Sequence, residues 1–194
     1  IIWRSSSQWL GGFLFLVFLV LIFSNKQINF KMIDYVFNFE KKINLSKNLL
    51  NVSYRIFFIY LILTLIIFLL FSFSGLRIFN SLNLSMTLIS SGGFLPTNYL
   101  NDILTTNLQL FILILSFLIS ILNFYILYNV FFRRDDLIYH SEDLYLFLIF
   151  LSFSLIFYLF NSFNLLTVFV TVLSSIGNSG LSITSIPSNY NLFF

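Results

Sequence analysis

The sequence has no cysteine, no alanine, a single histidine and only two prolines, and charged residues make up 9% of its 194 positions. Without cysteine there are no disulfides, no thiolate metal sites and no cysteine nucleophiles. One histidine, His140, leaves no histidine-based metal site, so no metal ligands are assigned. So few charges cannot cover the surface of an ordinary soluble domain. What is abundant is apolar: 59% of residues are hydrophobic, 28 are phenylalanine, and the mean hydropathy is +0.97. The composition predicts an integral membrane protein. The missing alanine has a second reading. Alanine needs GC-rich codons, whereas Phe, Ile, Asn, Lys and Tyr use AT-rich ones, so the gene is expected to lie in a very AT-rich genome. A first residue of Ile1 fits a processed N-terminus or a non-standard start codon. Together these suggest a mitochondrial origin. The opening IIWRSSSQW has no basic region followed by an apolar core, so no secretory leader is read there.

Four apolar stretches are candidate spans: Trp9–Phe23, which reaches about 20 residues if it starts near Trp3, then Ile56–Leu76, Leu108–Phe132 and Leu144–Phe160. Between the second and third, RIFNSLNLSMTLISS (77–91) is amphipathic and too short to cross. GGFLPTN follows, where helix must stop: Gly92 and Gly93 are permissive and Pro96 lacks a donor. The same grammar returns after the fourth stretch, as NSFNLLTVFVTVLSS and then GNSGLSITSIPSN (177–189). The pattern reads as an internal repeat: span, short helix, glycine-containing loop, span. The expected fold is an all-α membrane protein of about four transmembrane helices with two re-entrant helix–loop hairpins. Its expected segments are 1–23, a closing span; 24–55, a basic loop; 56–132, one complete repeat; 133–143, a charged loop; and 144–194, the start of another repeat.

Charge placement supports that topology. If both hairpins re-enter, Lys26, Lys31, Lys41, Lys42, Lys47, Arg55, Arg133 and Arg134 share one face. Only Arg4 and Arg77 fall on the other, which is the bias of the positive-inside rule. The excess of ten Lys/Arg over seven Asp/Glu is therefore read as orientation and lipid contact, not nucleic-acid binding. RRDDLIYHSED (133–143) is read as a solvated inter-span loop and Asp102 as a surface carboxylate. No charged residue falls within the second, third or fourth span, so a membrane-embedded enzyme is not expected.

At this point a family resemblance enters. WRSSSQWLGG (3–12), NLSKNLLNVSYRIFFIYLILTL (44–65), FNSLNLSMTLISSGGF (79–94), ILNFYILYNVFFRRD (121–135), SEDLYLFLIF (141–150) and SSIGNSGLS (174–182) resemble, in order, segments of Trk/Ktr-type potassium transporters. Such proteins resemble four fused potassium-channel units. The resemblance implies that 1–23 closes a first repeat, that 56–132 is the second and that 144–194 opens the third. It also implies pore helices ending on filter-like loops. By resemblance, Gly93 is the filter glycine of the second repeat, flanked by Ser90, Ser91 and Gly92. Gly180 is that of the third, flanked by Asn178 and Ser179. The physical basis is sound: backbone carbonyls replace a cation's hydration shell, and glycine lets successive carbonyls face one way. The family's usual filter threonine is Ser or Asn here, and two filters are half a ring. The expected role is thus a structural or accessory subunit of a large inner-membrane assembly, such as a respiratory-chain complex or the ATP synthase. The alternative is a split-gene piece of a potassium pathway completed by partner chains. No cofactor is expected beyond K+ if the filter is live. The partners are lipid and other membrane subunits.

Overall fold

A computed structural model describes residues 1–24, 45–97, 100–121, 141–160, 164–181 and 183. Among them the chain is all-helical: α1 (Ile2–Ser24), α2 (Leu45–Phe73), α3 (Ile78–Ile89), α4 (Asn107–Ile121), α5 (Ser141–Phe160) and α6 (Leu165–Ile176), with one turn of 3-10 helix at Leu100–Asp102. One segment, Ser53–Phe73, is long and apolar enough to cross a membrane. The apolar stretches Ile78–Ile89, Asn107–Ile121, Leu144–Phe160 and Leu165–Ile176 are shorter. The second half of the expected third span, positions 25–44 of the basic loop, positions 133–140 of the charged loop with Arg133, Arg134 and His140, and Pro187 lie outside the described residues; Ser141, Glu142 and Asp143, expected in the charged loop, begin α5.

One other boundary differs from the sequence reading. α2 begins at Leu45, well before Ile56, so Lys47 and Arg55 sit on helix rather than in a basic loop. Asn48 and Asn51 read as loop residues, but the leucines among them continue the helix's apolar pattern. α1 instead runs over the expected 1–23 segment, its polar lead-in included, where Ser5 and Gln8 find partners on other parts of the chain.

Helix ends follow from local chemistry. α2 stops where Gly75 turns left-handed (φ 85). Its N–H donates to the Ser72 carbonyl at 3.2 Å, and the Leu76 N–H donates to Phe71 at 3.3 Å. This is the Schellman closure, and Leu76 and Phe71 both join the core. α4 starts on a capping box. Thr106 Oγ1 accepts from the Gln109 N–H at 3.3 Å, and Gln109 Oε1 accepts from the Thr105 and Thr106 N–H groups at 2.8 and 3.3 Å. Gln109 also donates to the Ser74 carbonyl at 3.2 Å, tying the start of α4 to the end of α2.

α1 lies on α2 and α3 through an aromatic and polar seam. Trp9 and Phe13 pack against Phe57 and Tyr60, and the Tyr60 hydroxyl donates to the Trp9 carbonyl at 3.1 Å. Ser5 Oγ donates to Asn83 Oδ1 at 2.7 Å, both residues fully buried. α4 packs on α6, and α5 packs on α6 through Phe150 and Phe169 at 5.4 Å between ring centroids. One core runs through α2, α3, α4 and α6, with Ile67, Phe71, Leu84, Leu88, Leu113 and Phe117 at its centre.

Candidate functional site: two matched helix-end turns

α3 ends at Ile89, and Ser90 (φ −86, ψ 0) is its cap. Ser91 then turns left-handed (φ 52) and Gly93 does so again (φ 72). The Ser91 N–H donates to Leu88 at 3.3 Å and the Gly92 N–H to Thr87 at 2.9 Å, a second Schellman closure with serine where glycine is usual. Thr87 Oγ1 donates forward to the Phe94 carbonyl at 2.9 Å, pinning the chain after the turn to the helix before it.

α6 ends in the same way, 87 positions on. Gly177 (φ −73, ψ 0) is the cap, and Asn178 (φ 54) and Gly180 (φ 65) are left-handed. Asn178 donates to Ser175 at 3.1 Å and Ser179 to Ser174 at 3.0 Å. Ser174 Oγ donates to the Leu181 carbonyl at 2.7 Å, standing where Thr87 stands in the first turn. Even the helix entries match: Arg77 (φ −59, ψ 135) and Asn164 (φ −62, ψ 144) are both extended. The two helix ends thus match down to individual hydrogen bonds.

The first left-handed residue of each turn does what helix termination requires. The second, at Gly93 and Gly180, does not serve the cap. It redirects the backbone after the helix has already closed. The carbonyl ends of α3 and α6 carry partial negative charge toward these turns, which favours a cation. Among the described residues no group of His, Asp or Glu gathers there, so the available oxygens are backbone carbonyls and hydroxyls.

The two turns touch. The Ser179 carbonyl oxygen lies 2.0 Å from where a Cβ on Gly93 would sit, so only glycine admits this approach. Beyond the turns, the Asn101 N–H donates to the Ile183 carbonyl at 3.4 Å. Of the residues expected at the site, Gly93 and Ser179 are thus brought together. Ser90 packs beneath Gly12 of α1, which has no side chain to obstruct it. Ser91, Asn178 and Gly180 are exposed.

Neither central carbonyl is open. Gly92, the counterpart of Ser179, has its carbonyl held by the Gln8 Nε2 donor, and the Gln8 side chain fills the space a Cβ on Gly92 would need. Gln8 Oε1 is buried with no hydrogen-bond partner among the described residues. Arg4 sets its guanidinium 5.9 Å from the centroid of the Phe94 ring, beside the first turn. Comparison with protein-family descriptions, with characterised proteins and with solved structures returns no match. The chemistry of the turns therefore rests on their own geometry.

Gln8, Thr87, Ser174 and the Ser5–Asn83 pair are the site residues that sequence reasoning missed. For Thr87 and Ser174 a signal existed: both are hydroxyl residues at matched positions of the repeat. For Gln8 there was none, since its contact spans 84 residues.

Serine is a poor occupant of a left-handed position, where the Cβ crowds the following carbonyl at a cost of about 1–2 kcal/mol. Ser91→Gly is expected to stabilise the chain by up to about 1 kcal/mol, part of the relief being offset by the freer unfolded state. Asn178→Gly is expected to gain less, because asparagine tolerates this conformation. Unfolding by SDS titration in mixed micelles measures both.

Proposed function

We propose that this chain is an integral membrane protein that acts as a subunit of a larger assembly, with the paired turns a structural inheritance from a Trk/Ktr-type potassium transporter. α5 carries the membrane reading: Phe147, Leu148, Leu151, Phe153, Leu155 and Leu159 are all more than 40% exposed, far more apolar surface than a soluble helix leaves in water. The Ser53–Phe73 segment agrees, since only 33% of it is buried, unlike the core helix of a soluble protein. Re-entry of the two short helices is supported by their length, 12 residues each, and by the left-handed Gly93 and Gly180 that redirect the chain beyond their ends.

The need for partners rests on a physical constraint. Non-helical backbone at membrane depth must be buried in protein or line a water-filled cavity. Ser91, Asn178 and Gly180 are exposed, so at membrane depth other protein must cover them or enclose a water-filled cavity around them. A non-conducting role for the isolated chain is supported by Gln8 on the Gly92 carbonyl and by the positive charge of Arg4 beside the first turn. The alanine-free, AT-rich composition favours a mitochondrial inner-membrane host, with a respiratory-chain complex or the ATP synthase as the candidates.

A second reading is favoured by Gly93 and Gly180, whose left-handed turns exceed what a helix cap needs. In it the turns form part of a carbonyl-lined potassium pathway that partner chains complete. Native purification from the source membrane, with mass spectrometry of co-purifying chains, tests the subunit reading. Recovery in a defined multi-subunit complex is expected; recovery as a free monomer overturns it. Potassium flux in proteoliposomes containing the purified assembly separates the two readings. The structural reading predicts no flux above lipid alone.

A further inference from the structure

α1 aims two positively polarised groups at the first turn. Arg4 and Gln8 are four residues apart, on one face of the helix. Gln8 Nε2 donates to the Gly92 carbonyl at 2.5 Å, and the Arg4 guanidinium lies 5.9 Å from the Phe94 ring centroid. Gly92 is shaped for this contact rather than for the turn. Its backbone is not left-handed, unlike that of Gly93, yet a Cβ on it would overlap the Gln8 carboxamide carbon and both terminal atoms. Helix packing alone does not account for Gln8. An apolar side chain would seal the seam, whereas Gln8 leaves its own Oε1 buried without a partner among the described residues, an unfavourable arrangement. What the carboxamide adds is a partly positive NH2 group on a carbonyl. The carbonyl end of α3 already directs negative potential to that point. The Ser179 carbonyl, reaching Gly93 one residue further on, adds to it. A cation is the complementary occupant, and a side-chain amide holds the place.

We propose that α1 is an autoinhibitory element: the Gln8 carboxamide occupies the first turn in place of a monovalent cation, and Arg4 repels any cation that approaches. Gln8 is held on the same chain, so it competes at a high effective concentration. Withdrawing its side chain frees the Gly92 carbonyl and leaves space beside it for a cation that keeps part of its water. The lock rests on the reading of the turns as a transporter's inheritance and names the residues that silence the first of them. The Ser5–Asn83 hydrogen bond, one turn before Gln8 on α1, holds the helix in the register that the lock needs.

Equilibrium binding of radiolabelled rubidium ion to the purified protein in lipid nanodiscs tests the lock. Gln8→Ala is expected to bind about tenfold more rubidium than the unaltered chain at the same free ion concentration, because the tethered competitor is gone. Gln8→Ser replaces it if the alanine variant does not fold. Arg4→Gln, which leaves the Gln8 hydrogen bond in place, is expected to raise binding by a smaller factor, and the double variant to exceed either. Ser7→Ala, whose hydroxyl reaches only the Arg4 carbonyl within its own helix, should leave binding unchanged. Equal binding by the Gln8 variant and the unaltered chain overturns the lock, as does rubidium binding by the unaltered chain at the level of the variant. A rise in Ser7→Ala as large as that in Gln8→Ala also overturns it, since the effect would then come from loosening α1 and not from the carboxamide. Failure of the subunit reading shows separately, as a free monomer in native purification, and leaves the rubidium comparison intact.

Discussion

Gly93→Ala is expected to destabilise the chain by about 3 kcal/mol and to separate the two turns. Two costs combine. The left-handed backbone (φ 72) costs a non-glycine residue about 1–2 kcal/mol. The added Cβ would lie 2.0 Å from the Ser179 carbonyl oxygen, a backbone atom with no rotamer to escape into. Forcing such an overlap typically costs about 1–3 kcal/mol in backbone shifts. Gly180→Ala is the internal control. It has the same handedness (φ 65) but, among the described residues, nothing within 4 Å of the new methyl, so only the first cost applies. The difference between the two variants, measured by SDS unfolding of the same preparation, isolates the contact between turns. Equal losses would mean that the turns do not touch.

The hydroxyl pins give the second large effect. Thr87→Val keeps the shape of the side chain but strips the donor from the Phe94 carbonyl, and Ser174→Ala does the same at Leu181. Leaving a buried carbonyl without its donor costs about 1–3 kcal/mol, a cost met in full at the buried Leu181 and in part at the exposed Phe94. Ser174→Ala is expected to cost more than Thr87→Val. Ser174 Oγ also pairs with Ser179 Oγ at 3.1 Å, and the site is fully enclosed. Both variants should loosen the turn, so amide exchange at Gly92 and Ser179, whose N–H groups close the two turns, should quicken while that of the preceding helix holds. A loss confined to the helix would show that the hydroxyls serve the helix alone.

The outline of this fold was legible because it follows from chain-level regularities. Apolar runs set α2 and α5, and their interruption by polar, glycine-bearing stretches set where α3 and α6 stop. Gly93 and Gly180 were legible as turn residues because glycine is the usual left-handed residue. Ser91 and Asn178 were not legible as left-handed, since their conformation is imposed by the closing hydrogen bonds of the helix before them. The early start of α2 was hidden in NLSKNLLN, whose polar residues suggest loop although its leucines keep helical spacing. The junctions with α1 could not be read at all. Ser5, Gln8 and Asn83 are three polar residues among many, and only the three-dimensional approach of α1 to α3 selects them.

That approach also explains why the two units are not equivalent despite their matched turns. The first is bordered by a polar seam, Ser5 on Asn83 and Gln8 on Gly92. The second is bordered by apolar side chains of α4, with Ile121 against Gly177. A buried polar pair specifies one alignment more strongly than it adds stability. The first seam therefore sets the register of α1, and the second supplies packing.

The most direct test of the account is a proximity measurement across the two turns. Asn101→Cys and Ile183→Cys, placed where the Asn101 N–H meets the Ile183 carbonyl at 3.4 Å, are introduced into the cysteine-free chain and treated with a short bis-thiol reagent in the membrane. The account predicts an intramolecular cross-link in most molecules, seen as one joined peptide by mass spectrometry. No cross-link, with both thiols still reactive toward a monofunctional reagent, would contradict the side-by-side arrangement on which every reading of the site depends.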